Sequence, residues 1–207
     1  ERGLIGQAIK YYTEAIQINR SFPPANQNLS SLLVQLNKPP NMSNLINVAC
    51  NFHWEEHFHD FRVSMNGAIY HYARGEIKKC DTFLKKAIQT VTPELINNLN
   101  EKEKLFYGTY QDYLKELLKC IPKQNINNKS DYIYHVGESH CFSYAHHYIK
   151  IKNKNFKIIP NITFGAKAFH FSVSKNNKFK AITKINLASI PKGSIVFISF
   201  GEIDCRP

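Results

Sequence analysis

The segment "CIPKQNINNKSD", residues 120 to 131, constrains the fold most, because the hydrophobic period changes across it. Before it, apolar residues recur at three- and four-residue steps, the mark of helices that bury one face. After it, apolar runs of strand length alternate with helical stretches. One layer of secondary structure cannot satisfy both patterns, and 207 residues suffice for two modest cores. The expected organisation is a helical domain over 1–120, a linker over 121–131 and an α/β portion over 132–207.

In the first half, "LIGQAIKYYTEAIQIN" places Ile5, Ala8, Ile9, Tyr12, Ala15 and Ile16 on one helical face. A Pro-Pro turn restarts a helix in "SFPPANQNLSSLLVQLN", and Gly75 separates two further helical stretches, so antiparallel helix pairs are expected. Ala8, Tyr12 and Ala15, followed by Leu29, Ser30 and Leu33, and again Cys80, Leu84 and Ala87, supply small and aromatic packing positions. In these positions the chain resembles the tetratricopeptide repeat, a helical hairpin of about 34 residues. Arg20 stands where that repeat has proline, and residues 41 to 61 do not fit its register. The resemblance implies an all-α repeat domain with a protein or peptide partner on its concave face.

In the second half, "YIYHVG", "FKIIPNITFG" and "GSIVFISFG" read as strands. "FSYAHHYIKI" and "NNKFKAITKINLASI" read as the intervening helices. That alternation predicts a partial flavodoxin-like parallel sheet with flanking helices, whose ligands bind beyond the carboxyl ends of the strands. Ser139, Gly165 and the group "GEIDCR" fall at three such ends. A serine after a strand and before a helix is either a nucleophile or the cap of that helix.

Gly137-Glu138-Ser139-His140, Gly165 and Gly201-Glu202-Ile203-Asp204 together resemble the blocks of the SGNH (GDSL) hydrolase superfamily. The resemblance implies Ser139 as nucleophile, the Gly165 N–H as an oxyanion donor, and Asp204 and Arg206 as pocket residues. It implies an esterase or acyltransferase acting on an acylated small molecule or glycan, with no cofactor and no metal. Two departures accompany it. Ile203 takes the place of the family's asparagine, and the family's Asp-x-x-His comes after the last strands, whereas the sequence ends at Pro207. Neither His135, His140, His146 nor His147 is well placed as a base, and His170 follows the second block closely enough to reach the cleft. The base is therefore expected from beyond this chain, which alone is expected to be inactive. The alternative is a non-catalytic repeat scaffold whose α/β part has lost its chemistry.

Other features bound the function. Twenty-seven Lys and Arg against sixteen Asp and Glu give a formal charge of +11, which favours acidic partners. The lysines are dispersed with no basic run among aromatics, so a nucleic-acid partner is not expected. The five cysteines are odd in number and widely spaced, pointing to a reducing, cytoplasmic setting. No apolar run approaches the roughly 18 residues of a membrane span. The sequence opens without an initiator Met, so further residues upstream are expected. His53, Glu56 and His57 spell the inverted zinc-protease pattern, outweighed by a packed His/Trp/Phe cluster.

Overall fold

The computed structural model of the protein describes residues 4–36, 52–121 and 131–201. They fall into two units, one of residues 4–11, 35–36 and 131–201 and one of residues 12–34 and 52–121. Residues 122–130, most of the expected linker, and residues 41–51 of the unmatched stretch 41–61 lie outside the described residues.

Eight α-helices occur among the described residues. The first two are α1 (Ile5–Ile18) and α2 (Pro23–Gln35). On α1 the buried residues are Ile5 and Ile9, while Ala8, Tyr12 and Ala15 are half-buried. On α2, Leu29 and Leu33 are buried as the spacing predicts.

A 3-10 turn over Trp54–His57 precedes α3 (Phe61–Ala73) and α4 (Ile77–Gln89). Asp60 starts α3 by accepting from the backbone N–H groups of Arg62 and Val63 at 2.9 and 3.2 Å, which satisfies two donors the helix leaves orphaned. The short link between the two helices uses Gly75 at φ +73°, a left-handed conformation that glycine adopts at little cost. The hairpin is tight at its middle. A Cβ on Gly67 of α3 would meet the Phe83 ring of α4 at 2.6 and 2.9 Å. The rings of Phe58, His71 and Trp54 surround Phe83 with centroids 4.7, 4.9 and 6.3 Å away. Ser30 of α2 accepts from Asn66 Nδ2 of α3 at 2.9 Å, a buried polar tie.

Two helices follow, α5 (Pro93–Asn98) and α6 (Glu101–Cys120). Asn100 and Glu103 form a reciprocal capping box at the start of α6. Glu103 also receives Arg62 Nε of α3 at 2.8 Å.

The other unit holds a four-stranded sheet in the order β2-β3-β1-β4. Its strands are β1 (Asp131–Gly137), β2 (Tyr148–Ile151), β3 (Lys154–Ile162) and β4 (Ile195–Ser199). Strand β1 pairs in parallel with β3 on one side and with β4 on the other, and β2 pairs antiparallel with β3. The sheet is therefore mixed, which corrects the expectation of a purely parallel one.

The difference lies in residues 139–151. The expected helix "FSYAHHYIKI" is instead a 3-10 turn over Ser139–Phe142 followed by β2. His146 takes φ +65°, ending any helical path, and its N–H donates to Ile158 O at 2.9 Å. Lys152 and Asn153, at φ +45° and +65°, then make the tight turn of a β2–β3 hairpin.

Helices α7 (Ala168–Ser172) and α8 (Lys178–Ala188) follow β3. Helix α8 ties itself to the end of β3: Thr183 Oγ1 lies 3.0 Å from Thr163 Oγ1, and Asn186 Nδ2 donates to Ile162 O at 3.1 Å. Ile133, Val136, Phe142, Ala145, Ile158, Ile162 and Ile182 form this unit's core. Strand β4 is far more open, with Ile195, Phe197 and Ile198 at 42%, 42% and 67% exposure.

Candidate functional site at the carboxyl end of β1

The sequence "YIYHVG" delivers its chain to the carboxyl edge of the sheet at Gly137, where β4 comes very close. A Cβ there would sit 2.3 Å from Ser199 Oγ and 2.7 Å from Ser199 O, so the position demands glycine for room. The end of β3 is fastened at the same level, Thr163 N donating to Gly137 O at 2.8 Å. Past Gly137 the chain turns at once into the 3-10 turn that begins with Ser139.

Glu138, not Ser139, caps that turn. Its carboxylate accepts from His140 N at 3.1 Å, and Ser139 Oγ donates to its Oε2 at 3.0 Å. His140 Nδ1 lies 2.7 Å from both carboxylate oxygens. One carboxylate thus gathers the serine hydroxyl, a backbone N–H and an imidazole. Glu138 is 1% exposed, whereas the His140 side chain is 43% exposed. A carboxylate so deeply buried is tolerable because each of its oxygens has donors.

The neighbouring groups differ in availability. Cys141 is fully buried, and burial first, then the Glu138 charge, pushes its thiol up, which leaves it protonated and a poor nucleophile. His135 is buried on β1 with Nε2 2.8 Å from Ser199 Oγ, and burial lowers its basicity. His170 accepts the Lys167 N–H on Nδ1 at 2.8 Å and stacks on Phe179 at 3.9 Å. Its neutral ring therefore carries the proton on Nε2, the wrong tautomer for a base acting through that nitrogen.

Gly165 lies in the turn after β3, exposed, at φ +65°, with nothing within 4 Å of where a Cβ would be. Ser139 and Gly165 accordingly follow the carboxyl ends of two adjacent parallel strands. Gly201, beyond β4, has φ +114°, and a Cβ there would stand 3.6 Å from the Ala168 Cβ that opens α7. Asp204 and Arg206, expected as pocket residues, lie outside the described residues, as does Ile203.

Sequence reasoning missed Glu138 as the hub of this turn. The signal was present as an acid one residue before the serine and two before a histidine, a spacing short enough for both to fold back on it.

In the helical unit, His57 of the zinc-protease-like pattern is buried and stacked on Phe52 at 5.0 Å. Burial is the first cause that lowers its pKa. Among the described residues no group of three or more His, Cys, Asp or Glu side chains could hold a metal ion. The same unit has a cavity of about 270 Å³ with a mixed lining that includes Asn26, His57, Asp60, Phe61, Arg62 and Leu95. No described helix is long and apolar enough to cross a membrane.

No protein-family model matches the chain, and searches of curated proteins and of solved structures found no match.

Proposed function

We propose that the α/β unit carries the nucleophile turn of an SGNH-like serine esterase or acyltransferase acting on an acylated substrate, with carbohydrate esters as the first class to test. The observation that supports this most is the setting of Ser139. It follows a parallel strand at the sheet's carboxyl edge, and its hydroxyl hydrogen-bonds a side-chain carboxylate while another residue caps the turn. A serine kept only for helix capping would direct its oxygen to an N–H of its own helix.

In this reading Ser139 Oγ attacks the acyl carbonyl and forms an acyl-enzyme. The Ser139 and Gly165 N–H groups receive the charge that develops on the carbonyl oxygen, and Asp204 and Arg206 shape the pocket. Losing one such donor typically costs a factor of about 100 to 1000 in rate, which is what isoleucine at position 203 forgoes. The helical unit, with tetratricopeptide-like register, binds a protein or peptide partner.

The test is a fluorophosphonate probe on the purified full-length protein, which includes any base lying beyond Pro207, with the modified peptide identified by mass spectrometry. Label on Ser139, lost in Ser139→Ala, is the expected result. The variant stays folded, since it forfeits one hydrogen bond to a carboxylate that keeps its His140 donors, worth about 1.5 to 3 kcal/mol. A folded protein that never labels at Ser139 refutes the esterase reading. The scaffold reading then takes its place, favoured by Ile203.

A further inference from the structure

We infer that the amino-terminal edge of the sheet carries a binding notch for an acidic saccharide, formed by Tyr132, Tyr134, Lys154 and Lys192. It lies at the end of β1 opposite Ser139 and does not depend on the reading of that serine.

The notch opens because β4 starts late. Strand β1 begins at Asp131, but its pairing with β4 begins only at Ile133 and Ile195. The residues before β4 form a turn instead, closed by Ser194 N donating to Pro191 O at 3.2 Å, with Gly193 at φ +82°. Between that turn and the first residues of β1 and β3 is a cavity of about 420 Å³. Sites for small ligands run from about 300 to 1,000 Å³.

The lining joins open rings to uncommitted polar groups. Tyr132 and Tyr134, two residues apart on β1, set their rings on one face of the sheet. Tyr132 is 52% exposed and Tyr134 is half-buried, while Phe156 and Ile195 add apolar wall. Lys154 opens β3 and Lys192 lies in the turn before β4, both exposed. None of Asp131, Tyr132, Tyr134, Lys154, Lys192 or Ser194 makes a side-chain hydrogen bond or ion pair to another described residue. Exposed lysines of the helical unit behave differently: Lys85, Lys104, Lys115 and Lys119 each pair with a carboxylate of their own helix.

Each kind of group selects part of a ligand. A lysine ammonium on its flexible stem meets a carboxylate or sulfate as a point charge. A half-open tyrosine offers a flat apolar face with a hydroxyl at its tip that both donates and accepts. Burial first, then the neighbouring Tyr132, pushes the Tyr134 hydroxyl above its ordinary value, so it keeps its proton to donate. Ionised Asp131 can only accept, so it suits ligand hydroxyls and opposes a ligand that is anionic along its whole length. A uronic acid matches all of these, with a C–H face, hydroxyls around its rim and a single charge. A nucleic-acid strand, charged at every phosphate, fits Asp131 poorly. Tyr132 stands five residues of extended chain from Gly137, about 17 Å, so a sugar ring held here is out of reach of Ser139.

The experiment is isothermal titration of a galacturonic acid tetrasaccharide into the 207-residue chain, dilute in the cell, in about 0.15 M sodium chloride to screen long-range attraction. Wild type is expected to bind, and neutral maltotetraose to bind at least about tenfold more weakly, a difference of about 1.4 kcal/mol. Tyr132→Thr, which removes the ring and keeps a strand-forming residue, should weaken binding about tenfold without changing the charge. The double variant Lys154→Ala/Lys192→Ala should do the same. Lys78→Ala/Lys102→Ala removes the same charge from exposed positions of the helical unit and should change nothing, as should Ser139→Ala. Circular dichroism establishes that each variant is folded.

A wild-type chain that does not bind the tetrasaccharide overturns the inference. Equal weakening by the two lysine pairs reduces the binding to net charge and also overturns it, as does a folded Tyr132→Thr that binds like wild type. Loss of binding in Ser139→Ala moves the saccharide to the other end of the sheet. Tighter binding of a thymidine oligonucleotide, weakened by the same Tyr132 and lysine variants, assigns the notch to single-stranded nucleic acid instead.

Discussion

Replacing Gly67 with alanine sets two effects of known size against each other. At the middle of α3, alanine gains about 1 kcal/mol over glycine in helix propensity. The new Cβ, however, would stand 2.6 and 2.9 Å from two carbons of the Phe83 ring, where ordinary contacts begin near 3.4 Å. The ring must give way by close to an ångström. Phe83 is 1% exposed and ringed by Phe58, His71 and Trp54, so no open side is available to it. Overpacking of this kind costs about 1 to 3 kcal/mol, which exceeds the propensity gain over most of that range. In a Phe83→Ala background every ring carbon near position 67 is gone and only the gain remains, so the same substitution becomes stabilising. The two changes should thus couple by about 1 to 3 kcal/mol. The assay is urea unfolding followed by Trp54, the single tryptophan of the chain, which is buried beside Phe83 and reports the helical unit alone. Additivity within about 0.5 kcal/mol would refute the close-packing argument.

The helical unit should also weaken as pH falls. Burial holds both His57 and His71 below the ordinary histidine value of 6.5, so the folded form prefers them neutral. The stability they contribute is fully present above 6.5 and is lost as pH drops through and below it. A Trp54-monitored urea midpoint that stays flat between pH 7 and pH 5 would contradict this. In the sheet unit, Gly137→Ala drives a Cβ into both the hydroxyl and the backbone carbonyl of Ser199. Adding Ser199→Gly relieves only the hydroxyl contact, so thermal unfolding should show a large loss for the single variant and an incomplete recovery for the double. Full recovery would mean that the backbone approach is not limiting.

Much of the fold was legible because it rests on local patterns. The helical spacing around Leu29 and Leu33, the strand run "YIYHVG" and the turn at Gly75 each declare themselves within a few residues. The stretch from Phe142 to Ile151 did not, because its apolar residues suit either period. What decides it is partly distant, the pairing of His146 and His147 with Ile158, and partly a turn signal at Lys152-Asn153 that pattern counting overlooks. For the site, the serine and its place after a strand could be read directly. The burial of Glu138 could not, since it depends on β3 and β4 closing over the end of β1.

Strand β4 carries a consequence for handling the protein. From Gly193 to Gly201 there is no charged residue and no proline, and among the described residues β4 pairs on one side only. Sheet edges are ordinarily guarded by such residues, and an unguarded one is a template for another strand. Here the guard is collective: a formal charge of +11 holds copies of the chain apart while the solution is dilute in ions. Salt screens that repulsion at about 10 Å and below as its concentration passes 0.1 M. Colloidal behaviour should then invert the usual advice, with concentrated stocks clearest in low-salt buffer and turning turbid as sodium chloride is added.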